Sequence, residues 1–395
     1  MEPTLTPPAP LLANLRGEFL IDPELAFLNH GSFGAVPRVV VEEQNQWRRQ
    51  IETDPIQTLH RRGPQLIAEA KGAIGAWLEM NPADFGLVTN ATEGINCVLR
   101  SLKFSAGDEL LTTGHVYNAV RQAMTFVAHR AGATYREIEI PPPIASPDAI
   151  ANAVLSAIGR RTRLVVIDHI SSATALILPV ERIVEECAKM GVDVLIDGAH
   201  APGMVELNVS KISAAYYAGN LHKWGCAPKG SAFLWVRRDR QAEIHPLIVS
   251  HHYGQGMEKE FSWQGTRDIS AWLAVPRAIE WMGRIGWARV MAHNHAMAAW
   301  VNQMLCRRWN VSAISPADGS MLGSMAAVPL PPPLDRLTPQ QSEELQVTLH
   351  DRWKIEVPIM VWGGRSYARV CCQIYNVAED YVRLAETIER LARQA

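Results

Sequence analysis

Lys223 stands out because its neighbours are not those of a solvated surface lysine. The segment AGNLHKWGCAPKG, residues 218–230, places it between His222 and Trp224 and surrounds all three with glycines. A buried amine loses the water that stabilises its charge, so its pKa falls and the neutral, nucleophilic form becomes accessible. The segment therefore predicts a lysine that forms a Schiff base, against the alternative of an ordinary loop lysine.

Asp197 is the second residue with chemical potential, because it ends the apolar run VDVLID, residues 192–197. Such a run predicts a buried strand, and a buried carboxylate is costly unless a cation balances its charge. That cation is either a nearby Lys or Arg, or the protonated nitrogen of a pyridine ring. A further predicted strand separates Asp197 from Lys223, so two adjacent strands would present an acid and an amine to one cleft.

Two further groups follow predicted strands in the first half of the chain. Asn90 to Glu93 follow FGLVTN and open a helix, whose N-terminal N–H groups are a phosphate site or are simply capped. His115 and Tyr117 follow DELLTT, and either ring is suited to stacking on a flat cofactor. An amine, an acid, a phosphate-binding helix end and an aromatic ring together describe the needs of pyridoxal 5'-phosphate (PLP).

The elements that must position these residues alternate in type. Short apolar runs alternate with amphipathic helical patterns between about residues 85 and 237, which favours an α/β fold with a mostly parallel sheet covered on both faces. Open sheets of this kind bind ligands at the carboxyl ends of their strands, where the polar residues above are found. We expect an N-terminal arm over residues 1–30, flexible in its first 15 residues, a large PLP-binding domain over 31–275 and a small C-terminal domain over 276–395. A long helical stretch from Ser270 to about Arg308 is expected to leave the large domain.

Composition excludes several classes of function. The net charge of −2 and the pI of about 6.7 provide no basic field for nucleic acid or an anionic membrane. No apolar run approaches the roughly 20 residues needed to span a bilayer, and the N-terminus lacks the pattern of a secretory signal. The 6 cysteines are scattered without a CxxC pair, so we expect no metal site and a reduced, cytoplasmic protein.

Motifs along nearly the whole chain resemble the fold-type I, class V aminotransferase group of PLP enzymes, and more closely its isopenicillin N epimerase-like branch. They are, in chain order, FLNHGSFG (27–34), NATEGIN, DGAH, LHKW, WQGTRD (263–268) and ARVCCQIYN (368–376). The resemblance implies an aspartate aminotransferase-like fold: a large domain with a mostly parallel sheet between helices, and a smaller α+β C-terminal domain. It also implies a homodimer with shared active sites.

The resemblance further implies roles for individual residues. Lys223 forms the Schiff base and moves the Cα proton, Asp197 pairs with the ring nitrogen, and His200 binds the ring oxygen. Arg369 binds the substrate carboxylate through its planar fork. His115 is implied to stack on the cofactor ring, with Tyr117 as an alternative stacking ring or an acid. Phosphate binding is implied for Ala91, Thr92, Asn220 and His222, and contact with the other subunit's phosphate for Gly265 and Thr266. The substrate side is implied to be lined by Asn29 and His30.

The sequence disfavours one reaction type of this family and leaves several others open. Cysteine desulfurases of this class carry a nucleophilic Cys shortly before the carboxylate-binding Arg, and residues 349–364 contain none, which disfavours persulfide formation. The preferred prediction is an epimerase or racemase acting at Cα of an amino acid. The alternative is a C–S lyase that eliminates sulfur from a cysteine conjugate or sulfoxide, as in ergothioneine synthesis. An aminotransferase or a non-catalytic PLP-binding protein ranks below both, and the substrate stays open.

Overall fold

A seven-stranded sheet forms the centre of the computed structural model, which describes residues 6–12 and 15–394. Its strand order is β2-β8-β7-β6-β5-β3-β4, and the neighbouring strands are parallel except around β8, which is antiparallel to both β2 and β7. The strands are β1 Ala26–Phe27, β2 Phe85–Val88, β3 Glu109–Thr113, β4 Thr134–Ile138, β5 Thr162–Asp168, β6 Asp193–Asp197, β7 Tyr216–Asn220, β8 Ala232–Val236, β9 Met325–Pro329, β10 Ile355–Glu356, β11 Ile359–Trp362 and β12 Arg365–Cys371.

Helices cover both faces of this sheet. The α-helices are α1 His30–Phe33, α2 Arg38–Thr53, α3 Gly63–Leu78, α4 Ala91–Ser101, α5 Asn118–Ala131, α6 Pro147–Ala157, α7 Val180–Lys189, α8 Val209–Ile212, α9 Met257–Ser262, α10 Ser270–Leu273, α11 Val275–Ile285, α12 Trp287–Trp309, α13 Pro339–Trp353 and α14 Ala378–Ala392. A π-helix at Ile56–Arg61 and 3₁₀ turns at Leu15–Glu18, Pro82–Asp84, Arg238–Glu243 and Leu334–Arg336 complete the helical structure.

The alternation of side chains along β5 explains why two helical layers form. Val165 and Ile167 belong to the core that includes residues of α6 and α7, whereas Leu164 and Val166 belong to the core beneath α4 and α5. Successive strand residues point to opposite faces, so an uninterrupted apolar run buries both faces of the sheet. The expected sheet with helices on both sides is confirmed.

The parallel strands end side by side, which creates the edge that carries the polar residues. Asp168 at the end of β5 lies opposite Asp197 at the end of β6, and Asp197 lies opposite Ala218 of β7. Asn220 then ends β7, three residues before Lys223. The register of three strands therefore places the acids and the lysine-bearing segment at one edge.

The C-terminal part contains a three-stranded antiparallel sheet in the order β11-β12-β9. Strand β1 pairs in parallel with β10, which ties residues 26–27 to residues 355–356. The larger sheet lies within the predicted 31–275 unit and the smaller within 276–395, while the domain boundaries themselves stay a prediction. Residues 1–5 and 13–14 of the predicted N-terminal arm lie outside the described residues, and its later residues Phe19 and Leu28 are buried.

The helical stretch expected from Ser270 to about Arg308 is divided into α10, α11 and α12. Ala274 separates the first two, and Gly286, with a φ of 100°, separates the last two. A positive φ of this size suits glycine and ends a helix. Among the described residues, none of the helices combines the length and the apolar character that crossing a membrane requires.

Candidate active site

A cavity of about 460 Å³ lies at the carboxyl ends of the parallel strands, where the sequence predicts the site. It collects residues from the ends of β5, β6 and β7, from the start of α4 and from the loop before α5. The predicted site residues that line it are Ala91, Thr92, Tyr117, Asp197, His200, Asn220, His222 and Lys223.

The Lys223 amine is buried and has a lowered pKa, which favours its nucleophilic form. Its Nζ lies 3.1 Å from Nε2 of His200. Burial, and after it the positive charge of Arg369, lowers the pKa of Lys223 to about 8, although Asp197 acts in the opposite direction. Much of the amine is therefore neutral in mildly alkaline water, which is the form that attacks an aldehyde. Lys223 is not an ordinary loop lysine.

His30 forms a hydrogen bond with the backbone of Lys223. Its Nδ1 accepts hydrogen bonds from the Tyr375 hydroxyl at 2.9 Å and from the Ala35 N–H at 3.2 Å, so the ring proton is on Nε2. That Nε2–H donates to the Lys223 carbonyl at 3.0 Å, and burial lowers the pKa of His30 to about 3. This corrects the expectation that His30 lines the substrate side, because the ring is fully buried beneath the lysine segment.

Two buried acids lie side by side at the cavity floor. Asp197 accepts a hydrogen bond from the Ala199 N–H at 3.0 Å, and the described residues place no cation within ion-pair distance of it. Oδ2 of Asp168 has no hydrogen-bond partner in the described part of the chain. Burial raises the pKa of Asp197, and burial together with the charge of Asp197 raises that of Asp168 well above its usual range. A bound pyridinium nitrogen fits this arrangement, because it supplies the cation that the protein omits.

Some of the residues predicted to bind the phosphate already have hydrogen-bond partners within the protein. The Ala91 N–H donates to Oδ1 of Asn220 at 2.8 Å, so this N–H already has a protein acceptor. Nδ1 of His222 lies 3.1 Å from the Ser231 carbonyl and donates its proton to it, which leaves a lone pair on Nε2. Burial lowers the pKa of His222 to about 4, so this ring binds a phosphate oxygen only if the bound anion drives its protonation. Thr92, in the first turn of α4, lines the cavity as expected.

Of the two aromatic candidates in one loop, the structure brings Tyr117 to the cavity and leaves His115 behind it. Tyr117 precedes α5, lines the cavity and is 46% exposed. His115 is buried, with Nδ1 at 2.8 Å from the Thr174 hydroxyl and Nε2 at 3.1 Å from the Ile140 carbonyl. Its ring packs on Trp362 with centroids 4.5 Å apart. This corrects the expectation that His115 stacks on the cofactor ring.

Arg369 is a buried guanidinium surrounded by neutral groups. One terminal nitrogen donates to the Ser172 carbonyl at 2.9 Å and to its hydroxyl at 3.1 Å. The other donates to the Ser32 hydroxyl at 2.9 Å and to Oδ1 of Asn29 at 3.3 Å. Burial lowers the pKa of Arg369, and the described residues give its Nε no acceptor. A buried positive charge without a carboxylate partner fits an anionic ligand, and Asn29 supports the arginine rather than lining the cavity.

Gly265 and Thr266 lie away from this cavity. Gly265 borders a separate hollow of about 290 Å³ together with Trp263, and Thr266 is exposed. The expected contact of both residues with the phosphate of another subunit stays a prediction.

Sequence reasoning missed Asp168 and Ser32 as site residues. It noted Ser172 in HISSATA as the position where related desulfurases tend to have Asn, near the ring oxygen, but not as a partner of Arg369. Asp168 had a usable signal, because it ends the run RLVVID in the same way as Asp197 ends VDVLID. No local pattern linked Ser32 or Ser172 to Arg369, because the arginine lies 337 and 197 positions away from them along the chain.

Known proteins resemble this chain over almost its full length. Isopenicillin N epimerase from Amycolatopsis lactamdurans is 32% identical, with 96% of this chain and 98% of the relative aligned. L-cysteine desulfhydrase from Arabidopsis thaliana is 30% identical, with 98% of this chain and 94% of the relative aligned. The solved structure of a cysteine desulfurase from Thermococcus onnurineus NA1 matches the fold with a TM-score of 0.82 at 18% identity, covering 99% of this chain and 100% of the other.

The structural match confirms the expected fold type I architecture. The family model for Aminotransferase class-V matches residues 27–382, which is most of the chain. The buried lysine, the acid without a protein cation and the helix end at one cavity fit the cofactor of that family. The chain therefore belongs to the class V aminotransferase family and is a PLP-dependent enzyme.

Proposed function

We propose that this enzyme epimerises or racemises an amino acid by removing the Cα proton on one face and returning a proton on the other. The observation that carries the proposal is that Lys223 and Tyr117 border the same cavity. The relationship to an isopenicillin N epimerase supports the same reaction class.

The chain's own residues would divide the work as follows. When bound, PLP supplies an electron sink for the charge that develops at Cα. The Lys223 amine, with its pKa lowered to about 8, holds the cofactor and takes the Cα proton. Asp197 balances the ring nitrogen, and Arg369 orients the substrate carboxylate with Asn29 and Ser32 bracing its fork.

Tyr117 would act on the second face. Its phenol borders the cavity, and a phenolic O–H is a hydrogen donor, so Tyr117 can return a proton to Cα once Lys223 has removed the original one. A proton returned by Tyr117 inverts the centre, whereas a proton returned by Lys223 restores it. The phenol therefore determines whether turnover changes the configuration.

β-Elimination of sulfur is the second candidate, because the Arabidopsis relative is an L-cysteine desulfhydrase. It would begin with the same proton removal by Lys223. A thiol has a pKa of about 8.5, so it leaves as a thiolate without help from an acid. Elimination therefore has little need of the Tyr117 hydroxyl, whereas inversion depends on it.

Turnover in heavy water tests the proposal. Purified holoenzyme is incubated with a panel of L-amino acids, L-cysteine and S-substituted cysteines, and the products are analysed by chiral chromatography and mass spectrometry. We expect deuterium at Cα with loss of optical purity and no pyruvate. Pyruvate with a released thiol or sulfenate would establish the lyase instead, and a stable pyridoxamine form would establish transamination. The Tyr117→Phe variant should abolish inversion and spare elimination.

The active unit in this proposal is a homodimer, with Thr266 reaching the phosphate held by the other subunit. The exposure of Thr266 supports this role, because the residue is free to contact another chain. Light scattering should give twice the mass of one chain, and Thr266→Ala should weaken PLP binding without changing that mass. A monomeric, fully active enzyme would contradict the proposed homodimer.

The cytoplasmic location expected from the sequence is also part of the proposal, and cell fractionation tests it.

A further inference from the structure

His200 lies between the reactive lysine and the tryptophan that follows it in the chain. Its Nε2 is 3.1 Å from Nζ of Lys223, and its Nδ1 is 3.3 Å from Nε1 of Trp224. The Trp224 side chain is fully buried, and His200 is almost so. Adjacent residues of one segment therefore contact opposite sides of a single imidazole ring.

The contact with Trp224 determines where the imidazole carries its proton. An indole N–H is a donor and never an acceptor, so Nδ1 of His200 must present its lone pair. A neutral imidazole has one ring proton, which is then on Nε2. Burial, and after it the charges of Lys223 and Arg369, lowers the pKa of His200 well below its usual range, so the ring is neutral. The opposite tautomer would bring two N–H donors face to face inside the core.

We propose that Trp224 is a positioning residue, whose indole N–H holds His200 as the Nε2–H tautomer and so directs a hydrogen-bond donor at Lys223 and the cofactor's ring oxygen. Donation to Nζ requires the Lys223 amine to present a lone pair, and this is the neutral, nucleophilic form. His30 and His200 would then both direct an Nε2–H at Lys223, one at the carbonyl and one at the amine. The part concerning the ring oxygen rests on the proposed function, whereas the tautomer does not.

Nitrogen NMR of the apoprotein above about pH 8, where the Lys223 amine is mostly neutral and can accept, tests the tautomer without any reaction. With ¹⁵N-histidine label, and with His200→Gln to assign the signal, we expect the shift of a lone-pair nitrogen at Nδ1 and of a protonated nitrogen at Nε2. With ¹⁵N-tryptophan added, we expect a coupling across the hydrogen bond between Nε1 of Trp224 and Nδ1 of His200. A protonated Nδ1 or a doubly protonated ring in the wild-type protein would overturn the proposal.

Trp224→Phe keeps a large ring and removes the N–H. We expect the two His200 nitrogens to move to averaged shifts of mixed tautomers, and the kcat of the PLP-loaded enzyme to fall about tenfold, the effect of 1.4 kcal/mol. Trp235→Phe is the matched control, because Trp235 is buried and its indole N–H has no partner in the described residues. It should leave the His200 signals unchanged. A single Nε2–H tautomer in Trp224→Phe would refute the role of Trp224, whereas the expected NMR result without epimerase activity would refute only the proposed function.

Discussion

The His30 imidazole donates a 3.0 Å hydrogen bond to the backbone carbonyl of Lys223, 193 positions away in the chain. The same N-terminal segment continues through Ser32, which contacts Arg369. The segment that reads FLNHGSFG therefore braces both the lysine and the arginine. A change in its path would disturb two functional groups at once.

Gly34 tests this bracing role. It has a φ of 71°, and a Cβ on it would lie 2.1 Å from the carbonyl oxygen of His222. Gly34→Ala should therefore lower the free energy of unfolding by at least about 2 kcal/mol, measured by urea denaturation, and should also reduce PLP binding. Gly107→Ala is the control, because Gly107 has a φ of 91° with nothing within 4 Å. Equal losses in the two variants would show that backbone strain alone is responsible.

The reactivity of Lys223 should follow its lowered pKa. The charged form is disfavoured by burial, so the neutral fraction rises as the pH rises through about 8 rather than through the ordinary 10.5. The rate at which apoprotein takes up PLP, followed by visible absorbance and fixed by borohydride, should rise across the same pH range. Lys223→Ala should give no visible band and no borohydride adduct. A midpoint near 10.5 would contradict the electrostatic account.

Asp197 and Asp193 lie at opposite ends of β6 and form a matched pair. Asp197→Asn removes the charge expected to balance the ring nitrogen, and kcat should fall about 100-fold or more. Asp193 forms ion pairs with Arg237 and Arg240 at the other end of the strand. Asp193→Asn should cost at most about 1 kcal/mol of stability and leave kcat unchanged. Similar kinetics for both variants would exclude Asp197 from the site.

Arg369 should govern KM for substrates that carry a carboxylate. Arg369→Lys loses the planar fork, so kcat/KM should fall about 10- to 100-fold, mostly through KM. Arg365, which is exposed on the same strand, is the control, and Arg365→Lys should behave as wild type. A decarboxylated amine analogue should bind both variants and wild type alike. A strong preference of wild type for that analogue would place the carboxylate elsewhere.

Tyr117 and His115 are separated by a single residue but should give opposite results. Tyr117→Ala removes a ring at the cavity, which should weaken PLP binding by about 0.5–1.5 kcal/mol if Tyr117 stacks on the cofactor. His115→Gln disturbs two buried hydrogen bonds, so it should lower stability by about 1–3 kcal/mol and affect PLP affinity much less. Titration of apoprotein with PLP and thermal unfolding separate the two effects. The reverse pattern would restore His115 as the stacking ring.

Much of the fold could be predicted because its signals are local. The run RLVVID buries both faces of a strand, and ATEGINCVLRSL forms α4 behind Asn90, whose side chain caps it as the sequence suggested. Lys223 and Asp197 could be chosen because a strand end fixes the place of a polar residue whatever surrounds it. The sequence analysis missed the division of residues 270–309 into three helices. Its one sequence signal was Gly286, which separates α11 from α12.

By itself, the sequence determined the alternation of strands and helices and the sheet edge at which Lys223 and Asp197, the lysine and acid predicted for the site, border one cavity. These depend on side-chain periodicity and on interactions between neighbours in the chain. Tertiary structure alone decided that Tyr117 faces the cavity while Thr174 and Ile140 hold His115, that His30 turns beneath Lys223, and that Asn29 and Ser32 brace Arg369. Each of those outcomes is a choice among hydrogen-bond partners that strand register and packing bring together from distant parts of the chain, and no local pattern encodes it.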